Sequence, residues 1–215
     1  MEGLRLAAAR RWIAVAGAAV AVAGALAACG SHHRTTTARF IAPGTGIPPS
    51  LAREARPIGQ GPRFHPPATG PVAGRCSPRL GKRDGVHVEL FAADRVLLVA
   101  AGIGTRPPLA FSEGRISDAR CYGDLVTLEP TGVVLIRRGL KIRLATLFAA
   151  WGQPLSRRRL ASFAAGPGTE VAVFVNGLRW TGEPGAVVLS RHDEIVLEVG
   201  PYVPPHPTYT FPPGT

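Results

Sequence analysis

Val86-His87-Val88-Glu89-Leu90-Phe91 alternates apolar and polar side chains, and Val96-Leu97-Leu98-Val99 answers it across Ala92-Ala93-Asp94-Arg95. Period-two alternation puts successive side chains on opposite faces of a strand, and two such runs around a short break read as a hairpin. Gly102, Gly104, Pro107 and Pro108 then interrupt the pattern. A second pair is expected from residues 121–128, a turn at Glu129-Pro130-Thr131-Gly132, and residues 133–137. Leu144, Leu147, Phe148 and Trp151 fall at i, i+3, i+4 and i+7, one face of a short helix stopped by Gly152 and Pro154. Ser156 is placed to cap a second short helix, with Leu155 and Leu160 as its hydrophobic staple. Val171, Val173 and Val175 alternate into Asn176-Gly177, a hairpin turn signal, and residues 194–199 form the last strand.

Hairpin, hairpin, helix and strands in that order imply an α+β fold, a small mixed or antiparallel sheet with one or two short helices. The expected arrangement is β-grasp-like, a helix lying across the sheet; a small β-barrel or sandwich is the alternative. The globular domain is read as residues 76–203. Residues 204–215 form a Pro-rich tail, extended, with Tyr209 and Phe211 available to pack on the domain, as is Tyr202 just ahead of it.

Ahead of the domain the chain reads as an address. Arg5, Arg10 and Arg11 precede an apolar run over residues 12–28, which ends in Leu26-Ala27-Ala28-Cys29. A basic start, an apolar stretch of about 16 residues and a small-residue cleavage site make a signal peptide, too short to span a bilayer comfortably. The terminal pattern resembles the bacterial lipoprotein signal. That resemblance implies cleavage before Cys29, lipidation of its sulfur by diacylglycerol, and palmitate-type acylation that anchors the protein at the extracytoplasmic face of the cell membrane. Residues 1–28 are then the leader, and residues 29–75, rich in Pro, Gly and Arg, a disordered tether with a reach of roughly 40 Å.

The 215-residue chain carries a formal net charge of +11. Lys82 and Lys141 are its only lysines, so the excess is arginine. With the abundant Ala, Gly and Pro this points to a compositional bias. An exported protein does not meet the chromosome, so no nucleic-acid partner is expected; the charge suits anionic lipid, an anionic wall polymer or an envelope protein. With Cys29 lipidated, Cys76 and Cys121 remain. Outside the cytoplasm they suit a disulfide closing a loop of about 46 residues, worth roughly 4 kcal/mol of chain entropy. Two buried free thiols are the alternative.

Candidate chemistry is sparse. His87 and Glu89 share one side of a strand and form a possible metal or acid–base pair. Ala110-Phe111-Ser112-Glu113-Gly114 has the outline of a nucleophile elbow without the strand before it and helix after it that the motif requires. Ser190, His192 and Asp193 are too close in sequence to form a triad by themselves. Gly102-Ile103-Gly104 lacks the third glycine and the helix of a dinucleotide site, so no cofactor is expected.

Cys76, His87-Val88, Ala101-Gly102-Ile103-Gly104, Cys121-Tyr122, Leu147-Phe148, Trp151-Gly152-Gln153-Pro154-Leu155-Ser156, Val173-Phe174-Val175-Asn176-Gly177, His192, Ile195-Val196-Leu197-Glu198-Val199-Gly200 and Phe211-Pro212-Pro213-Gly214 occur in an order and spacing that resembles an uncharacterised family of exported actinobacterial proteins. The resemblance covers about residues 74–213. The family pattern carries histidines alternating on neighbouring strands, which implies metal binding in those proteins. Here Glu89 stands where the second of those histidines falls, Val126 and Leu128 replace two more, and Leu135 replaces the last, while His87 and His192 keep their places. The metal-ligand candidates are therefore His87, Glu89 and His192.

The expected role is a non-catalytic binding or structural one in the cell envelope. A metal-binding exported protein is the alternative, and an envelope hydrolase using Ser112 a second. Replacing Cys29 by alanine is expected to abolish incorporation of radioactive fatty acid and leave the precursor unprocessed; a labelled Cys29→Ala product would refute the lipid anchor.

Overall fold

The structure, a computed structural model, describes residues 55–215. The leader, Cys29 and the first half of the tether lie outside the described residues. No helix among the described residues is long and apolar enough to cross a membrane.

The expected hairpin is β1 (Arg83–Ala92) with β2 (Arg95–Val96). Ala92 pairs with Arg95, which leaves a two-residue loop. Both loop residues are left-handed, Ala93 at φ 50° and Asp94 at φ 61°, the backbone that matches the twist of a tight hairpin. The return run pairs for one further step, Leu97 N–H to Leu90 O, before Leu98 N–H turns to Phe64 O.

A long hairpin follows, β3 (Thr105–Ser112) with β4 (Arg115–Tyr122). The sequence reading places a loop here because Pro107-Pro108 offers no donors. The structure accommodates the pair where the register shifts between Arg106 and Leu109, an irregularity that tolerates proline. Next come β5 (Leu125–Val126), β6 (Val133–Arg137), β7 (Ile142–Arg143) and helix α1 (Leu144–Trp151). Gly152 ends the helix at φ 81°, and Gln153 N–H closes back on Phe148 O. A Cβ at Gly152 would also meet Thr69 Oγ1 at 2.4 Å, so both conformation and space demand glycine.

The second expected helix is instead a small meander of β8 (Leu155–Ser156), β9 (Arg159–Leu160) and β10 (Phe163–Ala164). Leu155 and Leu160 do meet, as a cross-strand pair rather than a helix staple. A five-residue separation satisfies either geometry, and tertiary partners decide. The Arg157 guanidinium reaches Glu170, Glu183 and the carbonyl of Thr181 on neighbouring segments. Then follow β11 (Ala172–Val175), β12 (Leu178–Arg179), a 3₁₀ turn at Pro184–Ala186, β13 (Val188–Leu189) and β14 (Glu194–Val199). The Asn176-Gly177 turn joins β11 to β12 as expected, both residues at positive φ.

The main sheet runs β12-β11-β14-β1-β6-β5, with β2 beside β1. Its central pair, β1 and β14, is parallel, and its other pairings are antiparallel. First and last strands side by side and parallel, with antiparallel neighbours and a helix over one face, make the sheet mixed and β-grasp-like. The sheet is open rather than a barrel, and the fold is α+β.

Its two faces differ. On one, Val86, Val88, Leu90, Ile195 and Leu197 pack with Leu144, Leu147, Phe148 and Trp151 of α1 in the main core. Trp151 is fully buried, and its indole N–H donates to Pro66 O at 3.0 Å. Burying an aromatic or aliphatic side chain of this size contributes about 1.5–3 kcal/mol. The other face carries His87, Glu89, Glu194, Val133 and Leu135. It is covered by the β3–β4 hairpin through Ile116, Ala119 and Tyr122 and by the tail through Val203 and Tyr209. With both faces covered, every residue of β14 is buried, which is why this strand reads as a nearly continuous apolar run.

Residues 57–73, read as tether, belong to the folded body. Val96 N–H bonds Pro57 O, Gly59 N–H bonds Val96 O, Thr69 N–H bonds Trp151 O and Asp124 N–H bonds Ala73 O. Isolated backbone bonds of this kind leave no periodic trace in a proline-rich sequence, so the boundary at 76 is set too late. Cys76 and Cys121 are joined in a disulfide with Cα atoms 5.4 Å apart, next to reciprocal backbone bonds between Ser77 and Tyr122.

Glu198 shows what this double-sided burial costs. It is 3% exposed; its Oε2 accepts Val203 N–H at 3.3 Å, and its Oε1 has no partner among the described residues. Burial pushes its carboxyl above the ordinary value. A raised carboxyl favours the fold while protonated, and that contribution is lost as pH rises past the ordinary carboxyl range. Glu198→Gln is therefore expected to stabilise the full chain by about 1 kcal/mol at pH 7, with the gain shrinking as pH falls toward the carboxyl range; thermal melts across that interval check both.

Candidate functional site

The parallel pairing of β1 and β14 sets His87 directly beside Glu194. Their side chains project to the face under the tail. His87 Nδ1 lies 2.8 Å from Glu194 Oε2 and 3.0 Å from Oε1. The other ring nitrogen, Nε2, lies 3.0 Å from the backbone carbonyl of Thr131, so it is the protonated donor there. A second proton is shared between Nδ1 and the Glu194 carboxylate. Gly132 makes this geometry possible: it sits at φ 82°, and a Cβ there would meet Val88 O at 2.6 Å and His87 Nε2 at 2.9 Å.

Glu194 is fully buried and His87 is 5% exposed. Burial pushes the Glu194 carboxyl up, against the opposing pull of the His87 hydrogen bond, and the charge of Glu89 pushes the same way as burial. Glu89, two residues along β1, shares this face. Ligand atoms of His87, Glu89 and Glu194 lie within 4.8 Å of one another. The tail contributes a fourth group: His206 Nδ1 pairs with Glu89 Oε2 at 2.7 Å. A small cavity of about 100 Å³ adjoins the cluster, lined in part by His87, Glu89, Thr131 and Gly132.

The tail seals this face. Tyr209 stacks on the His87 ring, centroids 3.7 Å apart and planes at 11°. Burial, then the charges of Glu129, Glu194 and Glu89, holds the Tyr209 phenol above its ordinary value, so it stays neutral beside the carboxylates. Further along, Phe211 stacks on His192 at 4.6 Å, and a Cβ at Gly85 would meet Phe211 Cδ1 at 3.0 Å and Thr215 Cβ at 2.9 Å. Gly85 is thus the gap in β1 through which the tail reaches the sheet.

Of the three ligand candidates from sequence, His87 and Glu89 come together and His192 does not. His192 sits exposed in a turn at φ 65°, its Nε2 2.8 Å from Thr215 O, and serves to hold the tail. Glu194 and His206 take part instead. Glu194 shows no signal, because alternation along β14 does not reveal which residue of another strand it faces. His206 lies in a segment whose proline content masks its destination. The other candidates have structural roles. Ser112 is exposed at the end of β3, and a strand rather than a helix follows it. Asp193 binds Ser190 N–H and the Asn176 amide, which pins the turn before β14.

No family model, curated protein or solved structure matches the chain.

A buried pair is costly to split. His87→Leu leaves Glu194 without its partner, with an expected loss of about 3 kcal/mol, whereas His87→Leu combined with Glu194→Leu recovers most of it. Chemical denaturation of the single and double variants provides the measurement.

Proposed function

We propose that this chain is a lipoprotein held through Cys29 at the outer face of the cytoplasmic membrane, and that its folded domain takes up a divalent transition-metal ion in a non-catalytic binding role. The observation that carries the metal reading is the convergence of His87, Glu89 and Glu194, with His206 attached to Glu89. Imidazole and carboxylate together suit a first-row dication such as Zn²⁺, Fe²⁺ or Co²⁺. Two carboxylates balance the charge of such an ion in a buried setting. His87 is already oriented as metal-bound histidines are, with one ring N–H fixed by a backbone carbonyl and the other nitrogen turned to the cluster. The ion replaces the proton shared by His87 and Glu194, so uptake releases protons.

In the resemblance to exported actinobacterial proteins His87 keeps its place, but Glu89, Val126, Leu128 and Leu135 stand where the other histidines of that pattern fall, so the metal reading rests on the convergence of side chains in this chain alone. The basic composition supports contact with anionic lipid or wall polymer around the anchor. Ser112 is followed by a strand and not by the helix that a nucleophile elbow needs, which favours a binding protein over a hydrolase built on this residue.

The test is titration of the full chain in detergent with Co²⁺, followed by its visible absorption, and competition by Zn²⁺. Glu89→Gln and His206→Ala, both at partly exposed positions, are expected to weaken binding about tenfold or more, while His192→Ala binds like wild type. Equal affinity in wild type and Glu89→Gln refutes the site and leaves the His87–Glu194 pair as a latch for the tail alone.

A further inference from the structure

At the other end of the same sheet face, a cleft of about 460 Å³ opens between the start of β1, the β3–β4 hairpin and the tail's end. Lys82, Arg83, Arg115 and Arg138 line it together with Leu80, Leu135 and residues 213–215. No aspartate or glutamate side chain is in the lining. Two of its cations also pair with acids outside the lining: Arg115 with Glu129 at 2.6 Å, and Arg138 with Asp84 at 2.9 Å. The oxygen of Thr215 is bonded by His192 at 2.8 Å and Arg191 at 3.4 Å.

Arg83 distinguishes this cleft from an ordinary basic surface. It is only 4% exposed. Its Nε donates to Leu80 O at 2.7 Å and its Nη1 to Asp124 O at 3.0 Å. Its Nη2 is enclosed and meets no acceptor among the described residues. Two fixed bonds set the plane of the guanidinium and leave both N–H groups of Nη2 without an acceptor among the described residues. Burial first, and then the charge of Arg137, lowers its pKa to about 10 against the opposing pull of Asp124, so it remains a cation at neutral pH. An enclosed, oriented guanidinium with a spare donor, ringed by further cations, matches the recognition of a compact oxyanion. Its volume falls in the range of small-ligand sites.

We infer that this cleft is a binding site for a phosphate group, with Arg83 as its fixed buried donor and Lys82, Arg115 and Arg138 as the charges that attract and hold the anion. The phosphate comes either from a free phosphate ion or from a lipid headgroup at the membrane surface. Both present the same tetrahedral oxyanion, and neither requires the metal cluster on the same face.

Isothermal titration of the full chain in detergent, at constant ionic strength, tests this with inorganic phosphate and with glycerol 1-phosphate as the headgroup probe. Wild type is expected to bind saturably. Lys82→Gln combined with Arg138→Gln, both exposed and remote from the core, is expected to bind at least about tenfold more weakly, and Arg83→Gln to lose binding while retaining the Co²⁺ response. If Arg83→Gln fails to fold, the surface double variant decides. Tighter binding of glycerol 1-phosphate assigns the site to a headgroup, and tighter or equal binding of inorganic phosphate assigns it to the free ion. Absence of saturable binding by wild type, or equal affinity in the surface double variant, overturns the proposal.

Discussion

The His87–Glu194 pair is the constraint on which the rest of this structure depends. A carboxylate and an imidazole are register partners at the centre of a sheet, on the parallel seam between its first and last strands. Burying such a pair is costly unless its geometry is good and its remaining polar atoms are satisfied. The protein meets both needs with backbone and tail. The Thr131 carbonyl takes the second ring nitrogen, and Tyr209 lies flat on the ring. Gly132 and Gly85 are small because a carbonyl and a tail must come that close.

From this follows the inequality of the two faces. The α1 side is a conventional apolar core, closed by Leu144, Leu147, Phe148 and Trp151. The opposite side is closed by a hairpin and by residues 200–215, the tail and the segment leading into it, which form no strand. Their attachment rests on side chains, namely His206 on Glu89, Tyr209 on His87 and Phe211 on His192, and on Thr215 O held by His192. A cover of this kind is opened locally at lower cost than a sheet or helix. The polar residues that are the proposed metal ligands lie beneath this cover, and the cationic cleft lies at its end. This arrangement joins the fold to the proposed binding role: the well-packed face supplies stability, and the strapped face supplies chemistry.

The remaining staple is a disulfide, the bond that the proposed extracytoplasmic location favours. The Cys76–Cys121 disulfide ties the segment ahead of β1 to β4, the strand that helps cover the polar face. It therefore strengthens the side of the molecule with the fewest apolar contacts of its own.

Much of the framework was legible along the chain. The period-two runs around residues 86–99 and 171–179, the i, i+3, i+4, i+7 face of α1 with its terminal glycine, and the apolar run of β14 all declare themselves, because local periodicity reports which side of an element is buried. His87 and Glu89 could be named as neighbours on one strand for the same reason; the proposed lipid anchor rests on the Leu26-Ala27-Ala28-Cys29 pattern alone, which lies outside the described residues. Apart from the Cys76–Cys121 pairing, which the cysteine count already suggested, the relations between distant segments were decided only by the tertiary structure. Leu155 and Leu160 satisfied a staple and a strand pair equally, and the burial of Leu160 and Phe163 in the main core, with backbone bonds from Ala165 to Arg158 and from Val171 to Arg157, goes with the latter. Glu194 became a partner of His87 through parallel register, His206 through the path of the tail, and His192 left the candidate set to hold Thr215. Residues 57–73 joined the body through single backbone bonds. Periodicity carries information about one element's own faces; register, chain reversal and the destination of proline-rich segments depend on contacts between residues far apart in sequence, and these exist only once the chain has folded.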